Sequence, residues 1–180
     1  MATLDAVEDL VAALRDLGDT PQPARIAAML REVRIDERTL APHVLWRARC
    51  YTRNLIARED AFELIAMCWD EGAISAIHDH AESDCTFVVA QGAMRCETFQ
   101  VEWAAGERNG SCRIEPAGDC ILRQGELDLA SGHTSVHRVG APDGRAVTLH
   151  VYAKPIEACW HFDEDGNARL VPSRYDTHPA

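Results

Sequence analysis

Apolar positions at the start of the chain recur every three or four residues. Leu4, Val7, Leu10, Val11, Leu14 and Leu17 alternate with acidic residues, which predicts an amphipathic helix over 4–17 that stops at Gly18. Thr20-Pro-Gln-Pro23 reads as a linker turn. Ile26, Met29, Leu30 and Val33 repeat the helical spacing over 24–34, and Leu40 and Pro42 mark a short third helix over 36–41. Residues 1–43 therefore read as a helical segment without chemistry of its own.

From residue 44 the period falls to two. Val44–Ile56 predicts one or two strands, and Phe62–Trp69, closed by Asp70-Glu71-Gly72, predicts a buried strand. Further strands are expected at 74–78, 84–90, Met94–Trp103, Ser111–Glu115, Cys120–Leu122 and His133–Val139. Gly106, Asn109-Gly110, Gly118 and Gly125 punctuate them. Ala146–Ala153 alternates most strongly, and Asp163–Gly166 reads as a hairpin turn before a polar tail. Many short strands with glycine between them predict an all-β antiparallel sandwich or barrel. The expected layout is one domain over 1–180, with the barrel at 44–163 and the tail at 164–180.

Composition narrows the partners. A net charge of −11 and a pI near 5.1 argue against nucleic acid and anionic membrane surfaces, both of which call for basic patches. No apolar run approaches the ~20 residues of a membrane span. The N-terminus lacks the basic start of a signal peptide. Seven cysteines, an odd number with no CxxC, read as reduced thiols of a cytoplasmic protein rather than a disulfide framework or zinc knuckle.

Candidate chemistry gathers at His78-Asp79-His80. On a strand, residues i and i+2 share a face, so both imidazoles can enter one cavity while Asp79 turns away. Two neutral imidazoles on one face make half of a transition-metal site. Gly72, five residues, His78, one, His80, four, Cys85, six, Gly92 is the spacing of the first cupin motif, with Cys85 where a glutamate is usual. A third ligand is then sought downstream among His133, His137 and His150.

Tyr51-Thr-Arg53-Asn, Cys68-Trp69, Ile77–His80 with Cys85, Gln91-Gly92, His137-Arg-Val139, Thr148–Tyr152 and Cys159 together resemble the cysteine dioxygenase family over roughly residues 44–163. The resemblance implies a cupin (jelly-roll) barrel with a short N-terminal helical segment. It implies Fe(II) held by His78, His80 and His137, with O2 as co-substrate. Arg53 matches the group that pairs with the substrate carboxylate, and Tyr51 the hydroxyl beside it. His150 and Tyr152 match the pair in which an imidazole orients a phenol over the metal. Thr148 stands where a serine usually supports that imidazole. Cys85 and Tyr152 match the residues that form a thioether cross-link in animal members. Arg53 also matters on its own chemistry, because a guanidinium can grip a carboxylate through two hydrogen bonds.

The chain departs from the family after Tyr152, where Ala153-Lys154 replaces a Ser-Pro pair that often has a cis bond. A trans bond is expected here, and Lys154 is a candidate extra cation at the pocket. The expected function is a thiol dioxygenase that converts L-cysteine to cysteine sulfinic acid, by resemblance a monomer. The same chemistry on 3-mercaptopropionate or mercaptosuccinate is the alternative, and a non-catalytic metal-binding cupin is the reading from another class. His43, His161 and His178 are expected at the solvent or at an interface.

Overall fold

Both faces of the central strands are buried, and this decides the layering. The computed structural model describes residues 4–104, 108 and 110–179. The helical segment gives α1 (Val7–Arg15), α2 (Pro23–Leu30) and α3 (Glu37–Leu40), the last running into a 3-10 turn at Ala41–His43. α2 stops before its predicted end because Val33 leaves the helix to bridge Leu4. Asp36 caps α3 by accepting a hydrogen bond from the Arg38 amide at 2.8 Å.

Eleven strands follow among the described residues: β1 (Tyr51–Arg58), β2 (Phe62–Trp69), β3 (Ile77–His78), β4 (Asp84–Gln91), β5 (Ala93–Trp103), β6 (Cys112–Arg123), β7 (Leu127–Ser131), β8 (Val136–Gly140), β9 (Ala146–Ala153), β10 (Ala158–Phe162) and β11 (Ala168–Pro172). They form a five-stranded sheet, β1-β2-β9-β4-β7, and a six-stranded sheet, β11-β10-β3-β8-β5-β6. All the strand pairings are antiparallel. The fold is the all-β cupin barrel expected from the sequence.

The alternation of β2 and β9 separates two cores. Phe62, Leu64, Ala66 and Cys68 of β2, with Val147, Leu149 and Val151 of β9, pack outward against Leu10, Leu14 and Leu30 of the helices. Ile65, Met67 and Trp69 point inward with Phe87 and Tyr152. With both faces covered, β2 reads as an apolar run broken only by Glu63, and every residue in it is buried. Gly92 turns β4 into β5 at a φ of +77°, and a Cβ there would sit 2.4 Å from the Arg145 carbonyl oxygen. Only glycine fits that turn.

Several boundaries differ from expectation. Residues 44–50 form no strand, and β1 begins at Tyr51. The two strands expected at 111–115 and 120–122 are one, β6, because Gly118 stays inside it and the register slips opposite Thr98-Phe99 as a bulge. β7 was not expected, because the alternation of Leu127-Asp128-Leu129 is too short to stand out in the sequence. His133 lies on a 3-10 turn (Gly132–Thr134), and β8 starts only at Val136. The turns expected at Gly106 and Asn109 fall outside the described residues.

The largest difference is the tail. Residues 168–172 form β11, paired with β10. Beyond it the chain straps across β1: the Asp176 amide donates to the Arg53 carbonyl at 2.7 Å, and the Leu55 amide to the Thr177 carbonyl at 3.1 Å. A polar sequence can pair by its backbone, which carries no side-chain signature. No helix among the described residues is long and apolar enough to cross a membrane.

Candidate metal centre and adjoining cavity

β3 is only two residues long, and its neighbours define the centre. His78 pairs with His137 of β8 on one side and with His161 of β10 on the other. His80 follows just past the strand, its amide donating to the Gly132 carbonyl at 3.1 Å. The rings of His78 and His137 are 4.8 Å apart, those of His80 and His137 4.7 Å, and those of His78 and His80 5.2 Å. One nitrogen from each lies within 4.8 Å of the others.

The protonation of these rings suits a cation. His78 Nδ1 lies 3.0 Å from the Ala76 carbonyl, so it carries the proton and leaves Nε2 as the lone-pair nitrogen. Burial, then the neighbouring His137, pulls the His78 pKa down to about 3. The same two causes hold His80 well below the ordinary histidine value. His80 Nδ1 is buried without a hydrogen bond. His137 turns Nδ1 toward Cys96 Sγ at 3.7 Å and Asp128 Oδ2 at 3.7 Å, while the Cys96 thiol donates to Asp128 Oδ2 at 3.3 Å. Three rings gathered around a point, His78 and His80 held neutral and His137 backed by a carboxylate, fit a divalent transition metal.

The two other histidines considered as third ligand go elsewhere. His133 binds Asp79 Oδ2 at 2.5 Å through Nδ1 and Glu82 at 3.0 Å through Nε2, on the side away from the cluster. That is where the alternation sends Asp79. His150 belongs to the inward face of β9. Trp69 Nε1 donates to Thr148 Oγ1 at 2.9 Å, and Thr148 Oγ1 is 2.8 Å from His150 Nε2. His150 Nδ1 is 3.8 Å from Cys85 Sγ, and the ring stacks on Phe87 at 4.7 Å and on Tyr152 at 6.3 Å. Burial, with the Arg53 charge second, keeps His150 neutral.

Cys85 and Tyr152 sit directly opposite each other on β4 and β9. Burial raises the acid pKa of both. On β1, Tyr51 stacks on Trp69 at 4.7 Å, and the Arg53 guanidinium carbon is 5.7 Å from the Tyr152 ring centre. Burial opposes the Arg53 charge, but the Tyr152 phenol and the Glu63 carboxylate outweigh it and raise its pKa. Arg53 Nη2 donates to Ser173 Oγ at 3.0 Å, whereas Nε is buried without a partner. The guanidinium therefore retains donor capacity.

Tyr51, Arg53, His78 and Tyr152 border a cavity of about 410 Å3. Its opposite wall was not legible in the sequence. It includes Cys159 and His161, which share one face of β10, and residues 171–174 and 176 of β11 and the strap. His161, expected at the surface or an interface, instead has its ring 6.2 Å from that of His78. Its i, i+2 relation to Cys159 was available, but nothing local told that β10 pairs with β3. Lys154 is exposed and takes no part in the wall; it has a trans peptide and a φ of +91°. Arg174 is among the residues that border the cavity, and it too is exposed.

A cupin barrel with three inward imidazoles beside a small cavity defines a cupin with a candidate metal site. The chain belongs to the cysteine dioxygenase type I family, whose sequence model matches residues 5–165. It is 32% identical over 117 residues to cysteine dioxygenase type 1 of Danio rerio, covering 63% of this chain and 56% of that protein. It is 29% identical over 161 residues to the human cysteine dioxygenase type 1, covering 87% and 78%. A solved structure of an uncharacterized conserved protein with a double-stranded β-helix domain from Klebsiella pneumoniae gives a TM-score of 0.52 at 14% identity, over 74% of this chain and 88% of that one. This last likeness concerns fold alone.

Proposed function

We propose that this protein is an Fe(II)-dependent thiol dioxygenase that adds both atoms of O2 to the sulfur of L-cysteine, giving cysteine sulfinic acid. Family membership supports the reaction class, and the convergence of His78, His80 and His137 beside the Arg53 cavity is the observation that carries the reading. Iron held by the three imidazoles would supply the redox chemistry that joins O2 to sulfur. With no anionic protein ligand, an iron centre held there would stay positive and favour a thiolate.

The chain's own groups do the rest. Arg53 binds the substrate carboxylate and fixes the sulfur near the cluster, which converts a collision into a positioned reaction. Tyr51 closes the wall beside that carboxylate. Tyr152 keeps its proton, because burial disfavours the phenolate, and can donate it in a hydrogen bond to the reacting sulfur or oxygen. Trp69, Thr148 and His150 form a line of contacts that leaves His150 little freedom, and its ring limits the tilt of Tyr152. Cross-linking of Cys85 to Tyr152 would remove the thiol hydrogen and one ring hydrogen, with O2 taking the electrons and protons. The bond would hold the phenol further in place.

Oxygen uptake by the iron-loaded protein, with the product identified by NMR, tests the reading. Sulfinate formed in step with oxygen consumed supports it. Bound iron with no uptake on any carboxylated thiol would reduce the protein to a metal-binding cupin. Arg53→Ala is expected to raise KM strongly; an unchanged KM removes Arg53 from the site. Intact mass lowered by two hydrogens, restored to the plain value in Cys85→Ala, tests the cross-link.

A further inference from the structure

Cys96 stands against one of the three clustered histidines, and the dioxygenase reading gives it no task. It is buried on β5, where it meets His137 of β8 and Asp128 of β7. β5 and β8 belong to the six-stranded sheet and β7 to the five-stranded one, so the three side chains meet between the sheets. Neither Cys96 nor Asp128 is among the residues that carry the family resemblance.

Every pair in this group is close. Cys96 Sγ lies 3.7 Å from His137 Nδ1 and 3.3 Å from Asp128 Oδ2, and His137 Nδ1 lies 3.7 Å from Asp128 Oδ2. A tetrahedral zinc ion bonds sulfur at about 2.3 Å and nitrogen or oxygen at about 2.0–2.2 Å, which sets its ligand atoms roughly 3.3–3.6 Å apart. The observed triangle is close to that size. In the metal-free protein the thiol proton, donated to Asp128, holds the place a cation would take. Burial opposes the Asp128 charge, but hydrogen bonds from His137 and Cys96 outweigh it and keep its pKa below the ordinary carboxylate value.

The group is also reachable. The Asp128 side chain is 31% exposed. Cys120 of β6 lies directly opposite Cys96 in the ladder, so both side chains share a face, and the two thiols are in hydrogen-bond contact. Cys120 is exposed. A cation therefore has an entry path, with a fourth position open toward Cys120 and solvent. A thiolate, an imidazole and a carboxylate together select a borderline-soft divalent ion over magnesium or calcium.

We infer that Cys96, Asp128 and His137 Nδ1 form a second metal site, of zinc type, that shares His137 with the three-histidine centre. Binding releases the Cys96 thiol proton to solvent and uses the lone pair of His137 Nδ1. The double positive charge then meets one thiolate and one carboxylate. Nε2, at the other end of the ring, remains for the first centre. With both centres filled, the ring gives up its remaining proton and bridges them. The bound ion ties β5 and β8 to β7 and fixes the His137 ring. The site rests on its own geometry and does not need the dioxygenase reading.

The test is a cobalt titration of metal-free, fully reduced protein, followed by absorption and metal analysis. The expected result is about two ions per chain, one of them giving thiolate-to-cobalt charge transfer and the visible bands of a tetrahedral site, both erased when zinc is added. Cys96→Ser should lose that absorption and keep the other ion. His80→Ala should keep the absorption and lose the other ion, and His137→Ala should lose both. No thiolate absorption in the unaltered protein overturns the inference without recourse to any variant. Absorption that persists in Cys96→Ser, or vanishes in His80→Ala, overturns it as well. Oxygen uptake is read separately: thiolate absorption without uptake on any thiol would sink the dioxygenase reading and leave this site standing.

Discussion

The two faces of β9 need different things from their neighbours. Val147, Leu149 and Val151 meet the helices and contribute only shape and apolar area. Thr148, His150 and Tyr152, one residue out of phase, meet Trp69, Cys85, Phe87 and Arg53, where each polar atom has a direction. One strand thus serves as structural wall and as site wall. The outer face can tolerate another apolar residue of similar volume, since packing of this kind is satisfied by size. The inner face cannot, because a buried polar group left without its partner is costly.

The comparison is broken most completely from the inside. His80→Ala should remove high-affinity metal binding, taking content after iron loading from about one ion per chain to near none while the barrel still folds. Metal analysis together with circular dichroism checks this; full retention of iron would remove His80 from the proposed centre. The outer face should behave in the opposite way. Leu149→Ala creates a cavity at a fully buried position and should cost about 2–5 kcal/mol in denaturant unfolding. Folded Leu149→Ala protein should still bind metal, and loss of metal at full stability would show that the two faces are not separable.

A smaller effect sharpens the boundary of the site. Asp128 stands behind His137, and such carboxylates hold a ligating ring in place. Asp128→Asn is expected to weaken metal affinity about 10–100-fold with little change in fold. Competition against a chelator measures this, and an unchanged affinity would make Asp128 a bystander.

A last effect is graded by pH. Burial lowers the pKa of His78, His80 and His150 in the folded chain, whereas in the unfolded chain they would titrate near 6.5. Below that value the unfolded state binds more protons than the folded state. Stability of the metal-free protein should therefore be complete above pH 6.5 and fall as the pH is lowered, by up to ~1.4 kcal/mol per pH unit for each histidine involved. Unfolding curves between pH 7 and 5 give the slope; a flat profile would mean that the rings are not held neutral.

What the sequence could say follows from what is local. The spacing of Leu10 and Leu14, the apolar run of β2 and the alternation of β9 are properties of neighbouring residues. They give the helices, the strands and the face to which His150 and Tyr152 belong. The pairs His78 with His80 and Tyr51 with Arg53 are also i, i+2 relations on one strand direction, so they were visible. The choice of His137 over His133 came through family resemblance, and spacing alone left it open.

Other features exist only once strands pair. β6 absorbs Gly118 because it bulges at Ala117 opposite Thr98 and Phe99 of β5. His161 reaches the cavity because β10 lies against β3. The stretch that looks like a polar tail becomes β11 and a strap because backbone amides and carbonyls of β1 and β10 accept it, and backbone hydrogen bonding is indifferent to side-chain polarity. The sequence by itself determined the period of each element and the chemistry of each face. Only the tertiary structure decided which faces meet, and therefore that Ser173, more than a hundred residues from Arg53 in the chain, shares its cavity.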